Sequence, residues 1–350
     1  MLPTFANEHV AAVIPTYNRK EALSGAIESV LQQTRPADEL VVVDDGSTDG
    51  TARAVASRFG TAVRLVRQPR RGVAAARNAG VRASTAALVA FLDSDDTWLP
   101  DKLAVQLAAM DDSAVLLSAT NWRWKTASQS AFAERRLALQ ASVLRSPLAH
   151  LTRGGGHGLW PSTWIVRRDA FWSAGGFDEN LRVAEDTEFI FRLAWHGSFA
   201  LVPEVLAERS SAMDAHKLTN FRDFRYLREL SDNTVAILLN VCHQIENQPR
   251  QVGRAAERQL SYHLRRQLEY LALDGRSREA RKRAFAILSR CSGAREKLTA
   301  LAAIISPPMV GARKRRSLLR RGVEGLPTGA HSHSALRRGV AAAMKAAQER

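Results

Sequence analysis

Three short acidic runs carry the residues best suited to chemistry: Asp44-Asp45-Gly46-Ser47, Asp93-Ser94-Asp95-Asp96 and Glu185-Asp186. The sharpest is Asp93-x-Asp95. Hard divalent cations such as Mg²⁺ and Mn²⁺ take oxygen ligands, often one or two carboxylates completed by phosphate oxygens and water. Two acids on one tight turn can divide that work, one holding a ribose hydroxyl and the other the metal. The plainer alternative is that Asp93 and Asp96 cap a helix starting near Pro100. A carboxylate like those of Glu185-Asp186 can take a proton from an attacking hydroxyl. Acids at a helix start also favour the helix dipole with no chemistry implied.

The elements around these runs explain how they meet. Apolar spacing predicts strands over 9–15, 39–43, 62–66 and 86–92, with helices over 20–33, 48–58 and 73–82. Three βα units in a row imply α/β architecture, a parallel sheet with helices on both faces. Ligands of such sheets bind beyond the carboxyl ends of the strands. There the first strand ends in Pro15-Thr16-Tyr17-Asn18-Arg19, the second in Asp44-Asp45 and the fourth in Asp93-Ser94-Asp95-Asp96. Five acids and an arginine on one edge are poor for stability and good for a metal and a charged nucleotide. Further on, the pattern predicts one or two strands over 114–124, a loop over 125–133, a helix over 134–151, a strand over 160–167 and a helix over 185–196. From about residue 218 it is all-helical, over 218–247, 250–273, 276–292 and 294–305, followed by a basic cluster at 313–321. Residues 322–350 read as a flexible end with one last short helix over 335–349.

No Gly-x-Gly-x-x-Gly follows the first strand, and no Gly-x-x-x-x-Gly-Lys-Ser/Thr occurs. A dinucleotide oxidoreductase and a P-loop NTPase are therefore disfavoured. Something else must neutralise phosphates, and a metal with Arg77 is suited to it. The runs Ala12-Val13-Ile14-Pro15-Thr16-Tyr17-Asn18-Arg19, Val41-Val42-Val43-Asp44-Asp45-Gly46-Ser47-Thr48-Asp49, Gly72-Val73-Ala74-Ala75-Ala76-Arg77-Asn78-Ala79-Gly80 and Phe91-Leu92-Asp93-Ser94-Asp95-Asp96 resemble the family 2 glycosyltransferases of the GT-A fold. Gly175-Gly176-Phe177-Asp178-Glu179 and Glu185-Asp186-Thr187-Glu188-Phe189 resemble that family's second half. The resemblance covers about residues 9–210. It implies a GT-A-type, Rossmann-like, mostly parallel sheet and a nucleotide-sugar donor, with a lean towards UDP. It places Pro15, Thr16, Tyr17 and Arg19 in the nucleotide pocket, and Asp44 or Asp45 on the base. Arg77 would lie near the base or diphosphate, Asp93 with Ser94 at the ribose, and Asp95 on Mg²⁺ or Mn²⁺. Asp186, beside Glu185, would be the general base of an inverting transfer to a glycan or lipid-linked acceptor. A binding module without turnover is the rival reading.

Composition sets the frame. Of 350 residues, 45% are hydrophobic and 24% charged, as in an ordinary globular protein. Residues 1–210 hold 23 Lys/Arg and 23 Asp/Glu, so the whole net charge of +15 falls on residues 211–350. That asymmetry predicts two parts, a nucleotide-sugar domain over 1–210 and a basic helical extension over 211–350. The basic clusters Arg281-Lys282-Arg283 and Arg313-Lys314-Arg315-Arg316, with the apolar stretch over 298–310, suit an anionic membrane surface. Nucleic acid is the weaker partner, because the clusters lack interleaved aromatics. Pairing of two chains through these helices is left open. No transmembrane or signal segment is expected, which predicts a cytoplasmic protein, free or peripheral on the inner face of the membrane. Outside the motifs, Trp122 and Trp124 suit either an acceptor groove or a half-buried strand. Trp195 suits stacking on a sugar ring or, more simply, the core; His157 suits contact with the acceptor or phosphates or a solvated loop; and His331-x-His333 suits a metal or a plain tail.

Overall fold

The computed structural model describes residues 8–125, 142–152, 159–210, 223–245, 248–290 and 294–327. His157, His331, His333 and the expected last helix lie outside them. The chain divides into two compact units, Met1–Lys217 and Leu218–Arg350.

The first unit opens with β1 (Val10–Thr16), α1 (Lys20–Leu31), β2 (Glu39–Asp44), α2 (Thr51–Phe59), β3 (Arg64–Arg67), α3 (Val73–Ala83) and β4 (Leu88–Phe91). These strands pair in parallel in the order β3-β2-β1-β4. Every residue of β1 is buried, as expected of a central strand covered on both faces. Val10, Ala12 and Ile14 join one apolar cluster with Leu23, Ala26, Ile27 and Val30 of α1. Val13 points the other way, to α3. A Cβ on Gly80 would lie 2.3 Å from Val13 Cγ1, so the glycine is what lets α3 pack this closely.

The second half of the unit adds β5 (Thr97–Trp98), α4 (Lys102–Ala108), β6 (Val115–Lys125), β7 (Ser142–Leu144), α5 (Pro147–Thr152), β8 (Trp164–Arg167), α6 (Arg168–Ser173), α7 (Glu185–Leu193) and β9 (Ser198–Ser210). The sheet continues β4-β8-β6-β9-β5, with β7 also on β9. β8 is antiparallel to β4 and β6, whereas β6 and β9 are parallel, so beyond β4 the sheet is mixed. The parallel character read from the sequence thus holds for its first half.

Four local readings are corrected. Residues 142–144 are a strand paired with Phe199–Leu201, not part of a helix over 134–151. The helix starts only at Pro147, because proline disfavours helical backbone in the residue before it. β9, 13 residues long, has no counterpart in the sequence reading: Pro203 and the charges of Glu204, Glu208 and Arg209 hide it. Asp93 and Asp96 do not cap α4, which begins at Lys102 behind Asp101. Trp195 lies past the end of α7 and is 36% exposed, so it is not a core residue.

The second unit is helical: α8 (Phe224–Gln244), α9 (Arg250–Leu273), α10 (Ser277–Arg290), α11 (Ala294–Ile305) and α12 (Pro307–Leu319). Buried Leu227, Val235 and Leu238 of α8 and Leu264, Leu268 and Tyr270 of α9 supply its apolar interior. The basic cluster at 313–321 is largely helical. Its Lys314 pairs with Glu269 of α9 at 2.8 Å.

Candidate active site

The parallel strands β1, β2 and β4 deliver their carboxyl ends to one edge of the sheet. The loop after β1 and the loop after β2 are tied together. Asp45 N–H donates to the Thr16 carbonyl, Asn18 N–H to Ser47 Oγ, and Thr48 N–H to Asn18 Oδ1. Gly46, at φ +83°, turns the chain under the backbone of Arg70, where a Cβ would meet Arg70 N at 2.9 Å.

Asp44 and Asp45 divide the work of holding this rim. Asp44 is fully buried and accepts from Ser47 N–H at 2.8 Å and from Arg67 Nε at 3.3 Å. Asp45 accepts from Gln68 Nε2 and from the amides of Arg71 and Gly72, all within 2.8 Å, and so anchors the loop into α3. With two lone-pair positions per carboxylate oxygen, Asp45 Oδ2 has one position beyond its bond to Gly72 N–H. Tyr17 carries Arg70 over its ring, 3.9 Å from the centroid, and accepts from Arg70 Nη1. Pro15 is buried in β1 opposite Val43 and offers no donor. Thr16 Oγ1, also buried, has no partner among the described residues.

The acidic turn after β4 is held from three directions. Arg19 Nη1 reaches Asp95 Oδ2 at 3.4 Å. Arg77 Nη2 donates to Asp93 Oδ1 at 2.7 Å. Ser94 is buried between the two acids. Asp96 points inward: it accepts from Trp160 Nε1, Ser162 Oγ and Ser210 N–H. Burial, with Asp93 and Asp95 beside it, pushes the Asp96 carboxyl up to about 7, against the pull of its hydrogen bonds.

Glu185 and Asp186 open α7, behind Ala184 in left-handed backbone (φ +68°), a costly conformation for a residue with a Cβ. Arg77 Nη1 donates to Glu185 Oε1 at 2.7 Å, so one guanidinium, 3% exposed, joins the turn after β4 to the start of α7. Burial and neighbouring Asp186 push Glu185 up to about 7, and Arg77 pulls it down. Asp186 is half-buried. One of its oxygens, Oδ1, accepts from Thr187, and Oδ2 makes no hydrogen bond to a described residue. The neighbouring residue Asn78 locks the approach to α7: Phe177 N–H donates to its Oδ1 and its Nδ2 donates to the Phe177 carbonyl. Glu179 accepts from Asn78, Arg71 and Arg82, and these partners, the Asn78 amide first, hold its carboxyl below the usual range.

The structure therefore brings together Arg19, Asp93, Ser94, Asp95, Arg77, Glu185 and, next along the chain, Asp186. Arg77 is a buried bridge between Asp93 and Glu185. Sequence reasoning missed Asn78, Ser162 and the role of Asp96; Ser162 carries no motif signal.

No group of three or more His, Cys, Asp or Glu side chains among the described residues is arranged as a ready metal cage. The acids suit another mode. Asp93 spends one oxygen on Arg77 and is 31% exposed, and Asp95 lies beside Arg19. Two carboxylates, completed by ligand phosphate and water, fit a Mg²⁺- or Mn²⁺-type site.

The α/β unit, with its acids and two tied loops at one strand edge, has a GT-A-type fold. The comparisons agree. Residues 11–175 match the family model described as "Glycosyl transferase family 2". The N-terminal unit belongs to glycosyl transferase family 2. The Escherichia coli protein WfgD, a UDP-Glc:alpha-D-GlcNAc-diphosphoundecaprenol beta-1,3-glucosyltransferase, is 37% identical over 102 residues, 29% of this chain and 40% of its own length. The matched stretch spans less than half the length of the curated relatives. In fold, the chain is similar to S. aureus TarS 1-349 in complex with UDP-GlcNAc (TM-score 0.63, 17% identity, 88% of this chain and 92% of that one). It is also similar to mannosyltransferase PcManGT from Pyrobaculum calidifontis in complex with GDP-Man and Mn²⁺ (TM-score 0.56, 19% identity, 92% and 88%).

Proposed function

We propose that the chain is a metal-dependent glycosyltransferase. It moves a sugar from a nucleotide-diphosphate donor, UDP-linked by preference, to an acceptor hydroxyl, with inversion, in polysaccharide or glycoconjugate assembly. The observation that carries this is the Arg77 bridge between Asp93 and Glu185, which fixes the donor-side acids and the start of α7 as one unit. Asp45 and the Thr16–Arg19 loop take the nucleoside, Asp93 the ribose, and Asp95 with Asp93 the divalent cation. A cation held there offsets the charge that builds on the departing diphosphate. Asp186 Oδ2 is the acceptor of the hydroxyl proton. As the acceptor oxygen bonds to the anomeric carbon, the bond from that carbon to the diphosphate oxygen breaks, and the proton stays on Asp186. Glu185, paired with Arg77, orients its neighbour rather than reacting. A lipid-linked acceptor is supported by the name of the WfgD relative.

Peripheral membrane contact belongs to the same reading. Phe285 of α10 and Leu298, Leu301 and Ile305 of α11 are all exposed, and the last three recur on one helix face. Exposed Arg281 and Lys282 flank them, and Arg281 Nε donates to the Ile304 carbonyl. An apolar strip with a basic margin fits an anionic lipid surface.

Nucleotide release from UDP-glucose, UDP-N-acetylglucosamine and GDP-mannose, with Mn²⁺ and a lipid extract as acceptor, tests the activity. Release is expected from one donor class and is lost in Asp186→Asn. Release equal in wild type and Asp186→Asn contradicts the assigned base.

A further inference from the structure

The acidic turn is fastened to an aromatic cluster that the donor chemistry does not use. In the β6–β9 register Trp122 lies opposite Ala207 and Trp124 opposite Arg209, so alternation puts these side chains on one face. Arg123 and Glu208, paired with each other, lie on the opposite face. Trp122 meets Trp160 edge to face at 4.3 Å and Trp124 at 5.2 Å. Over these rings sits the Arg209 guanidinium, 5.2, 5.3 and 6.0 Å from the centroids of Trp160, Trp124 and Trp122.

Arg209 is half-buried and has no carboxylate partner among the described residues. The indole N–H groups of Trp122 and Trp124 likewise have no acceptor there. A guanidinium partly desolvated by three indoles is a strong anion receptor, because its five donors lie in one plane and have shed water. Phosphate oxygens match that fork. Carboxylates nearby are otherwise committed: Glu208 to Arg123 and Thr97, and Asp96 to Trp160, Ser162 and Ser210. Asp96 pins both ends of the cluster, Trp160 on one side and the amide after Arg209 on the other. The cluster is thus held one residue away from Asp95, at the carboxyl ends of β6 and β9.

We propose that Arg209, bedded on Trp122, Trp124 and Trp160, binds the phosphate of a phosphate-bearing acceptor, and that this selects sugar phosphates over neutral sugars. The proposal rests on the glycosyltransferase reading only for the word acceptor; the phosphate site stands on its own geometry. A donor diphosphate is the other source of the same chemistry, and the test separates the two.

The full chain is titrated with N-acetylglucosamine 1-phosphate and, separately, with methyl N-acetylglucosaminide, following tryptophan fluorescence. UDP affinity is measured in parallel by calorimetry with Mn²⁺. Wild type, Arg209→Gln, Arg209→Lys and Trp124→Phe are compared, each checked for an unchanged thermal transition. The expected result is saturable quenching by the sugar phosphate but not by the neutral glycoside. Affinity falls at least about tenfold in Arg209→Gln and less in Arg209→Lys, while UDP affinity is unchanged. Equal response to both sugars, or no loss in Arg209→Gln, overturns the proposal. Parallel loss of UDP affinity in Arg209→Gln overturns it in favour of the donor diphosphate. A wild type that binds the sugar phosphate and not UDP upholds this site and refutes the donor reading instead.

Discussion

Replacing Arg77 by methionine tests how much of the site depends on a single buried cation. Arg77 makes two 2.7 Å charge-assisted bonds, to Asp93 and to Glu185, and its guanidinium also lies 5.3 Å from the Phe177 ring centroid. Methionine keeps most of the apolar packing and removes the charge. Breaking a buried pair from one side costs about 3–5 kcal/mol, since the partner is left charged and unpaired. In a unit of this size each kcal/mol shifts Tm by about 2–4 °C, so a drop of roughly 6–20 °C is expected at pH 8. The pH dependence has a definite sign. Glu185 already stands at about 7, above its ordinary 4.5. Without Arg77 it rises further, so the folded variant binds a proton that the unfolded chain has released. Variant stability therefore falls as pH rises through this range, more steeply than in wild type, and the gap narrows by pH 5.5 as Glu185 is neutralised. Thermal unfolding of metal-free protein at pH 5.5 and 8, read by circular dichroism, measures both. Turnover should fall roughly 100-fold or more, because Asp186 moves with Glu185 and small misplacements of a reacting group are costly. A Tm within about 3 °C of wild type at pH 8, or a gap that does not change with pH, would refute the bridge as the organising contact.

Asp186→Asn should lower kcat about 10²–10⁴-fold with donor affinity unchanged, measured by turnover and calorimetry together. Gly80→Val should push α3 off β1, costing about 1–3 kcal/mol or more and seen as a lowered denaturant midpoint. Lys102 is fully buried, its Nζ has no hydrogen-bond partner among the described residues, and burial drives its pKa well down. Burial shifts that group towards its neutral form relative to the unfolded chain, so Lys102→Met should stabilise the protein by about 1–3 kcal/mol at neutral pH. That gain should shrink as pH approaches 10, which unfolding at pH 7 and 9.5 checks. Sedimentation with vesicles should show binding to phosphatidylcholine containing phosphatidylglycerol, weakened by Leu301→Glu and by salt, and little binding to phosphatidylcholine alone.

The parts of the site that sequence made legible are local ones. A continuous apolar strand followed at once by acids marks a strand end, and parallel order brings such ends together. Asp45, Asp93 and Asp95 were visible for that reason, whereas Glu185 and Asp186, which open a helix, stood out through the family resemblance. What stayed hidden depends on pairings across the chain. Arg77 was legible as a cation, but its two carboxylates lie 16 and 108 residues away. Asp96 looked like one more acid of the turn, and only contacts 64 to 114 residues distant show it facing inward. β9 was hidden by Pro203, which an ordinary central strand would not contain, and by charges that one face of the sheet turns outward. α12 was hidden because its basic residues mask the apolar Val310 and Leu318 that it buries.

The central claim is that the edge holding Asp93 and Asp95 binds a nucleotide-sugar together with a divalent cation. Calorimetric titration of UDP-, GDP- and dTDP-sugars, with Mn²⁺ and with chelator, on wild type and Asp95→Ala, tests it most directly. The account predicts binding of one nucleotide class, dependent on Mn²⁺ and lost in Asp95→Ala while the variant stays folded. Binding that is indifferent to Mn²⁺ and to the substitution, or no binding of any nucleotide-sugar by the folded wild type, would contradict it.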